Sequence, residues 1–183
     1  MINIVLIGMP GCGKSTIGRI LAANSGRLFV DCDNVLVEAA GFSIPEIFAR
    51  EGEEGFRFRE TQTLKEISGQ LTAGNLGLVI ATGGGCVTRE ENYSLLKRIG
   101  VIVFIERDIS SLAREGRPLS TGDLEEMYRQ RFPLYKRFAD YSVKNDAAAD
   151  IVAKNILEAV FATGKGESNN DSPQIPVLRA AFN

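Results

Sequence analysis

Short apolar runs alternate with amphipathic stretches along most of the chain. The runs predict buried strands at residues 2–7, 28–30, 76–81, 101–105 and, more weakly, 141–144. Apolar residues at helical spacing predict helices over residues 15–23, 35–40, 52–73, 90–99, 124–140 and 148–161, with a shorter one near 110–114. Because strands that alternate with helices form a parallel sheet covered on both faces, the pattern predicts an α/β fold.

Two local signals refine the helix boundaries. Ser43, Pro45 and Glu46 have the spacing of a helix start, with Ser as the N-cap and Glu three positions later. Pro133 lies inside a predicted helix, where its missing N–H should kink the helix or mark a junction.

The chain is long enough for one domain with a substantial core. It has 183 residues, of which 44% are hydrophobic and 24% charged. Residues 164–173 are polar and rich in Gly, Ser and Asn, which is typical of a flexible segment, although apolar character returns over 175–182. We therefore expect a single domain over residues 1–163 and a flexible C-terminal tail over residues 164–183.

Charge and cysteine content exclude several classes of protein. A net charge of −2 argues against a nucleic-acid binder, and no apolar run reaches the length of a membrane span. The three cysteines show no C-x-x-C spacing, so neither a disulfide framework nor a zinc site is indicated. Free thiols and an N-terminus unlike a signal peptide predict a cytoplasmic protein, which we also expect to be monomeric. With no histidine in the chain, proton transfer must use carboxylates, Lys, Tyr or water.

Residues 8–15 form a phosphate-binding loop. They read GMPGCGKS, fit G-x-x-x-x-G-K-[ST], and lie between a predicted strand and a predicted helix. Lys14 should reach the β- and γ-phosphates, the Ser15 hydroxyl should bind Mg²⁺, and Thr16 should lie near the α-phosphate. The backbone N–H groups that would surround the phosphates belong to Gly11, Cys12 and Gly13. The loop indicates ATP or another nucleoside triphosphate, but it does not say what is done with it.

Two other classes of nucleotide-binding protein lose support. A guanine-selective switch needs an [NT]-K-x-D segment, but residues 143–146 read VKND, and no D-x-x-G occurs in the chain. A transport or mechanical ATPase usually ends an apolar strand in Asp, whereas the third predicted strand ends in Thr82 and three glycines.

Polar and glycine residues follow two of the predicted strands. Asp31 and Asp33 flank Cys32 at the end of the second strand, and the carboxyl ends of parallel strands are where such sheets bind ligands. They could act on metal and substrate, or Asp33 could cap a helix while Asp31 faces solvent. The triplet at residues 83–85 could let a ligand approach the backbone, or it could be a plain tight turn.

Four arginines are candidates for binding a carboxylate or a phosphate. Arg57 and Arg59 lie in a predicted helix, Arg117 in a loop, and Arg131 before Pro133. Guanidinium groups match the paired oxygens of both anions, although each arginine alone could be a solvated surface charge.

Taken in order, these motifs resemble the shikimate kinases over about residues 2–160. The resemblance rests on the phosphate loop, D-x-D at 31–33, GEEGFR at 52–57, the glycine triplet, and RPL at 117–119 with R-x-PLY at 131–135. It implies a single-domain fold similar to nucleoside monophosphate kinases, with a five-stranded parallel sheet, helices on both faces and a lid loop near 115–122. It also implies transfer of the ATP γ-phosphoryl group to the 3-hydroxyl of shikimate, in chorismate and aromatic amino-acid biosynthesis.

The same resemblance implies a role for each candidate residue. Asp33 would hold the substrate hydroxyls and accept the proton, while Arg57 and Arg131 would grip the carboxylate of shikimate. Asp31 would contact Mg²⁺ through water, and Arg117 would reach ATP from the lid, neutralising the phosphates together with Lys14. The ring hydroxyls would meet the backbone of Gly83, Gly84 and Gly85.

Departures and rivals remain at this point. The lid is several residues shorter than in many relatives, and residues 145–149 offer mainly small side chains to adenine. A gluconate-type kinase would not explain the ordered arginine and glycine motifs. A regulator that binds ATP without transferring phosphate is the rival from outside the enzymes, and retention of the predicted catalytic residues argues against it.

The positions of the three cysteines lead to a further prediction. Cys12, Cys32 and Cys86 lie in or beside the three motifs, so we expect all three near one cleft. They are either inert core residues or thiols that alkylating reagents modify more slowly when ATP is bound.

Overall fold

The computed structural model describes residues 1–71, 77–112 and 124–161. The five strands of the sheet are β1 (Ile4–Ile7), β2 (Leu28–Asp31), β3 (Leu78–Ala81), β4 (Val101–Glu106) and β5 (Tyr141–Lys144). The helices are α1 (Lys14–Ser25), α2 (Cys32–Ala40), α3 (Ile44–Gln70), α4 (Glu91–Ile99), α5 (Leu124–Phe138) and α6 (Ala149–Phe161), with short 3₁₀ helices at Cys86–Thr88 and Ile109–Ser111.

The sheet is parallel throughout and has the strand order β2-β3-β1-β4-β5. β1 therefore lies in the middle, with β3 on one side and β4 on the other. Helix α1 packs against α6, whereas α3 packs against α2 and α4, which places helices on both faces of the sheet. The predicted three-layer α/β fold with a five-stranded parallel sheet is confirmed.

The core lies between the sheet and these helices. All four residues of β1 are fully buried, as a strand covered on both faces requires. From α1, Ile17 and Leu21 pack into the same cluster, and from α6, Val152 and Ile156. The carboxyl end of β1 is thus fixed at the centre of the molecule, where the phosphate loop begins.

Most predicted elements are confirmed, with shifts at their ends. The helix predicted from residue 35 begins at residue 32, because the carboxylate of Asp31 caps it. Of the one predicted near 110–114, the described part contains the 3₁₀ helix Ile109–Ser111, and residues 113–114 lie outside the described ranges. Helix α5 continues through Pro133 to Phe138. The lid at 115–122 and the tail at 164–183 lie outside the described residues. Within the described ranges, no helix is both long enough and apolar enough to span a membrane.

Candidate active site

The phosphate loop connects β1 to α1 and folds back on itself. Gly13 has a φ of 96°, in the left-handed region that favours glycine, and a Cβ at that position would lie 2.7 Å from Nδ2 of Asn145. Lys14 is buried and donates hydrogen bonds to the carbonyls of Gly8 at 2.8 Å and Met9 at 3.0 Å. The loop therefore holds its one lysine inside its own curve, at the N-terminus of α1, where anions bind well.

Asp31 links the phosphate loop to α2. Its Oδ2 accepts a hydrogen bond from the hydroxyl of Ser15 at 2.7 Å, and its Oδ1 accepts one from the backbone N–H of Asp33 at 3.1 Å. Asp31, not Asp33, is therefore the N-cap of α2, which corrects the alternative in which Asp33 caps the helix and Asp31 faces solvent. The capping bond leaves Asp33 in the first turn of α2, on the wall of the cavity described below.

The glycine triplet leaves space for groups that contact its backbone. A Cβ on Gly83 would lie 3.0 Å from Oδ1 of Asp33 and would overlap the carboxylate of Glu60. A Cβ on Gly85 would overlap the guanidinium of Arg57. The triplet is thus more than a plain tight turn, because side chains there would displace a carboxylate and an arginine.

Arg57 and Glu60 form a buried ion pair one turn apart on α3. Their side chains are each 5% exposed, and Arg57 also contacts the carboxylate of Glu53 at 3.3 Å. Burial is the largest single influence on the pKa of Arg57 and lowers it, but the charges and hydrogen bonds of Glu60 and Glu53 together outweigh burial, so the net shift is upward. Burial raises the pKa of Glu60, and the charge of Arg57 opposes that shift. Arg57 Nε and Glu60 Oε1 are both buried without a hydrogen-bond partner within the described residues, so this pair still has a donor and an acceptor to offer a ligand.

Arg131 reaches the same place from α5. It is buried, and its Nη1 donates to the carbonyl of Gly84 at 3.3 Å. The hydroxyl of Tyr135, one turn later on the helix, donates to the same carbonyl. Burial of Tyr135 raises the pKa of its hydroxyl well above the ordinary value, so it remains a donor. Two side chains of α5 therefore fix the middle of the glycine triplet.

These groups surround a cavity of about 410 Å³, here called the cleft. Ile44, Phe48 and Phe56 form an apolar wall, and the rings of Phe48 and Phe56 stack with centroids 4.6 Å apart. The cleft also contains most of the residues predicted from the sequence: Gly11, Gly13, Lys14, Ser15, Thr16, Asp33, Arg57, Gly83, Gly84, Gly85 and Arg131. Cationic, carboxylate and apolar surfaces thus face one another beside the phosphate loop, which suits a ring that carries a carboxylate and hydroxyls.

Four other predicted residues lie elsewhere. Cys12 is buried within the loop, and Asp31 is absent from the cleft lining but contacts Ser15, which is part of it. Arg59 is not in the cleft, since it pairs with Glu51 at 2.7 Å on the outside of α3. Arg117 lies outside the described residues.

A second cavity of about 680 Å³ lies on the β4–β5 side of the phosphate loop. Arg107, Tyr128 and residues 144–147 line it, and it shares Gly13 and Thr16 with the cleft. Asn145 donates from Nδ2 to the carbonyl of Cys12 at 2.8 Å, which ties the loop after β5 to the phosphate loop. We call this the nucleotide-side cavity, because it adjoins the predicted nucleotide-binding loop on the side away from Asp33 and Arg57.

Sequence reasoning missed the roles of Glu60, Tyr135 and Asn145. Glu60 stands three residues after Arg57, a spacing that brings opposite charges together on a helix and could have revealed the pair. Tyr135 stands four after Arg131, on the same face of α5. No local pattern predicts the hydrogen bond of Asn145, because its partner, the carbonyl of Cys12, is 133 positions away.

The three cysteines are all buried close to the cleft rather than exposed in it. Cys12 is 0%, Cys86 1% and Cys32 6% exposed. Burial raises the pKa of Cys86 to about 12 and that of Cys32 well above its ordinary value. The structure therefore favours inert thiols in the native state, while the effect of ATP on their alkylation stays a prediction.

Comparison with known proteins agrees with this geometry. The family model described as shikimate kinase matches residues 10–161. The shikimate kinase of Vibrio parahaemolyticus is 42% identical over 167 residues, covering 85% of this chain and 94% of the relative. That of a Marinomonas species is 40% identical over 169 residues, covering 86% and 91%.

Solved structures give the same result. The shikimate kinase of Acinetobacter baumannii in complex with shikimate superposes with a TM-score of 0.77 at 34% identity, covering 88% of this chain and 94% of that one. The Aquifex aeolicus enzyme has a TM-score of 0.74 at 32% identity, with 86% and 95% covered. On family model, relatives and fold together, the chain belongs to the shikimate kinase family.

Proposed function

We propose that the protein transfers the γ-phosphoryl group of ATP to the 3-hydroxyl of shikimate, giving shikimate 3-phosphate and ADP for chorismate and aromatic amino-acid biosynthesis. The observation that carries the proposal is the convergence of Arg57, Arg131 and Asp33 on one cleft beside Lys14. Two buried guanidinium groups select a carboxylate, and a neighbouring Asp selects hydroxyls. Membership of the family and the shikimate-bound relative support the same substrate.

The acceptor would bind with its carboxylate at the two arginines. Arg57 keeps Nε free of partners within the described residues, and Arg131 reaches the cleft from the opposite helix. The ring would lie against Phe48 and Phe56, and its hydroxyls would face the backbone of the glycine triplet. Such an arrangement fixes the orientation of the acceptor. Orientation of this kind can lower the activation free energy by several kcal/mol, with an upper limit on the order of 7–11 kcal/mol.

Asp33 would position the reacting hydroxyl and accept its proton. The hydroxyl oxygen forms a bond to the γ-phosphorus, the bond from that phosphorus to the β–γ bridging oxygen breaks, and ADP leaves with the electron pair. The proton passes to the Asp33 carboxylate and then to solvent. A carboxylate suits this task in a chain without histidine, and phosphoryl transfer needs alignment and charge neutralisation more than covalent help.

ATP would bind across the phosphate loop. The backbone N–H groups of the loop and the N-terminus of α1 would bind the phosphates, and Lys14 would neutralise the β- and γ-phosphates. We propose that Arg117, on the lid beyond the described residues, adds a further positive charge to the transferred group.

The residues beside the loop fit Mg²⁺. Ser15 Oγ and Asp31 Oδ2 lie 2.7 Å apart, and hydroxyl and carboxylate oxygens are the hard ligands this ion prefers. Among the described residues there is no cluster of three or more His, Cys, Asp or Glu that could hold a metal ion. Mg²⁺ in proteins is commonly bound by one or two side chains together with phosphates of the substrate. We propose that Ser15 binds Mg²⁺ directly and Asp31 through water. When bound, the ion neutralises charge on the phosphates during transfer.

The protein is further proposed to act as a monomer in the cytoplasm, without a nucleic-acid or membrane partner. Three free cysteines support a reducing compartment. Among the described residues, the large exposed apolar side chains include Phe58, Tyr93 and Ile151. These three lie on three different helices, an arrangement that supports a monomer. Sedimentation at two concentrations would test the oligomeric state.

The deciding experiment is Mg²⁺-dependent ADP release with shikimate, gluconate or a nucleoside monophosphate as the acceptor. Release with shikimate alone is the expected result, and the Lys14→Ala variant should abolish it. Release with gluconate alone would favour the rival kinase. ATP binding without release in any assay would favour a regulator.

A further inference from the structure

Arg107 is a basic residue for which the proposed mechanism has no role. It follows β4 and lies where the two cavities meet, lining both the cleft and the nucleotide-side cavity. Its Nη1 is 3.8 Å from the position that a Cβ would take on Gly13, so the guanidinium lies against the phosphate loop. We propose that Arg107 binds the phosphate chain of the nucleotide and holds it in the loop.

The guanidinium of Arg107 has a buried donor without a partner among the described residues. Its Nε is shielded from solvent without a hydrogen-bond partner, and the side chain forms no ion pair with any residue of the described ranges. A buried donor without an acceptor is unfavourable, and a ligand that supplies one relieves the penalty. Phosphate oxygens suit the group well, since two of them can accept from one guanidinium.

The acidic neighbours of Arg107 do not bind it. Glu106 precedes it, but the Glu106 carboxylate accepts from Lys136 Nζ at 2.8 Å. Asp108 follows it, is exposed, and stands at the start of the 3₁₀ helix Ile109–Ser111. The positive charge of Arg107 is therefore available to an anion in the loop beside it.

Contact with the phosphates is favoured over stacking on the base by the position of the side chain. The guanidinium lies beside Gly13 of the phosphate loop, and the side chain lines the cleft together with Lys14 and Ser15. A base in the nucleotide-side cavity would have room beyond that point, beside residues 144–147. The inference deepens the proposed function and rests on it only in that the nucleotide is ATP or ADP.

The test compares Arg107→Ala and Arg107→Lys with the wild-type full-length chain. Calorimetry would give Kd values for MgADP, for adenosine and for Mg-tripolyphosphate, which carries phosphates without a base. Arg98→Ala is the matched control, because Arg98 is exposed in the last turn of α4 and precedes the start of β4, whereas Arg107 follows the other end of that strand. Thermal unfolding and shikimate affinity without nucleotide would report on folding.

Arg107→Ala should weaken MgADP and Mg-tripolyphosphate alike by about 10- to 100-fold, as expected for a charged hydrogen bond. Arg107→Lys should recover only part of that loss, because it keeps the charge but not the paired donors of the guanidinium, and Arg98→Ala should change nothing. Unchanged tripolyphosphate binding with weaker ADP and adenosine would overturn the inference in favour of a base contact. Equal loss of shikimate and nucleotide affinity would overturn it in favour of a structural role.

These binding constants do not depend on turnover. If phosphoryl transfer to shikimate failed in the ADP-release assay while Arg107→Ala still weakened tripolyphosphate, only the acceptor assignment would be lost. If transfer succeeded and Arg107→Ala bound tripolyphosphate normally, only the role of Arg107 would be lost.

Discussion

At the scale of single residues, small side chains determine where charged ones can lie. Gly85 leaves room for the guanidinium of Arg57, and Gly83 for the carboxylate of Glu60. The arginine is then held by its ion pair with Glu60, which orders it before the acceptor arrives. Such preorganisation reduces the cost of ordering side chains on binding.

Replacing Arg57 separates acceptor binding from nucleotide binding. Arg57→Ala should lower kcat/KM for shikimate by an amount equivalent to a loss of about 2–5 kcal/mol in transition-state binding, because a buried charge partner is lost. The Kd of MgADP should stay nearly unchanged. Steady-state kinetics and calorimetry would measure both. Arg59→Ala is the matched control, since Arg59 lies two positions away and pairs with Glu51 outside the cleft. An unchanged KM and kcat for Arg57→Ala would remove Arg57 from the site.

That variant also leaves Glu60 buried without its partner. We expect Arg57→Ala to lower the free energy of unfolding by about 3–5 kcal/mol, and the double variant Arg57→Met with Glu60→Met to regain much of it. Urea unfolding would show the recovery, whereas shikimate turnover should stay low in the double variant. Recovered turnover would mean that the pair serves stability alone.

Adding one methyl group at Gly85 should, like Arg57→Ala, lower kcat/KM for shikimate. The new Cβ would displace the Arg57 guanidinium, so Gly85→Ala should lower kcat/KM for shikimate by about 100-fold, as a displacement of about 1 Å can do. Gly69→Ala is the comparison, because a Cβ there meets nothing within 4 Å. If Gly85→Ala kept normal kinetics, the space at Gly85 would have no functional meaning.

At the scale of elements, the sequence pattern predicts where the two parts of α3 begin but not how they contact each other. The sequence predicts one helix start at Ser43 and a second helix from Gly52, and the structure joins them across a kink where Gly52 has a φ of 68°. The ion pair from Glu51 to Arg59 spans that kink. Helix starts could be predicted because capping is local, but the ion pair could not, since it depends on the angle between the two halves.

The start of α3 should make stability depend on pH. The side chain and backbone of Ser43 donate to Glu46 at 2.6 and 2.8 Å, and these bonds lower the pKa of Glu46 from its ordinary 4.5. A lowered folded-state pKa stabilises the protein fully above the unfolded-state pKa, and that contribution is lost as the pH falls through the folded-state value.

Glu46→Gln should therefore destabilise the protein at pH 7, and its deficit should shrink as the pH falls below the ordinary 4.5 and through the lowered folded-state pKa of Glu46. Urea unfolding of both proteins at a series of pH values would measure the difference. Glu66→Gln removes the same charge from an exposed position of the same helix and should not reproduce the pH dependence. A deficit that is constant with pH would contradict the role of the Glu46 charge.

At the scale of the whole molecule, the strand order decides which motifs meet. The motifs and the class of fold could be predicted from the sequence, because the phosphate loop and the glycine triplet are local patterns. The order β2-β3-β1-β4-β5 could not, because no run of residues records which strands are neighbours. Nor could the meeting of α3 and α5 at Gly84 and Gly85, which the packing of both helices creates.

Because the three thiols are buried, their rate of reaction depends on how often the folded structure opens. Cys12, Cys32 and Cys86 should react with alkylating reagents only when the structure opens, and MgADP at 100 times its Kd should slow a global opening by about 100-fold. Mass spectrometry over time would follow the labelling. Rapid labelling at the rate of the urea-unfolded chain, with or without nucleotide, would contradict this expectation.

The central position of β1 has a practical consequence for inhibition. The phosphate loop lies between the nucleotide-side cavity and the two arginines of the cleft, Arg57 and Arg131. A single compound could therefore carry a ring carboxylate at one end and a nucleoside at the other. Joining the two halves makes the second binding event intramolecular, so affinities that are weak separately would reinforce each other. The nucleoside half would suit many ATP-using enzymes, whereas the carboxylate half would direct the compound to this cleft.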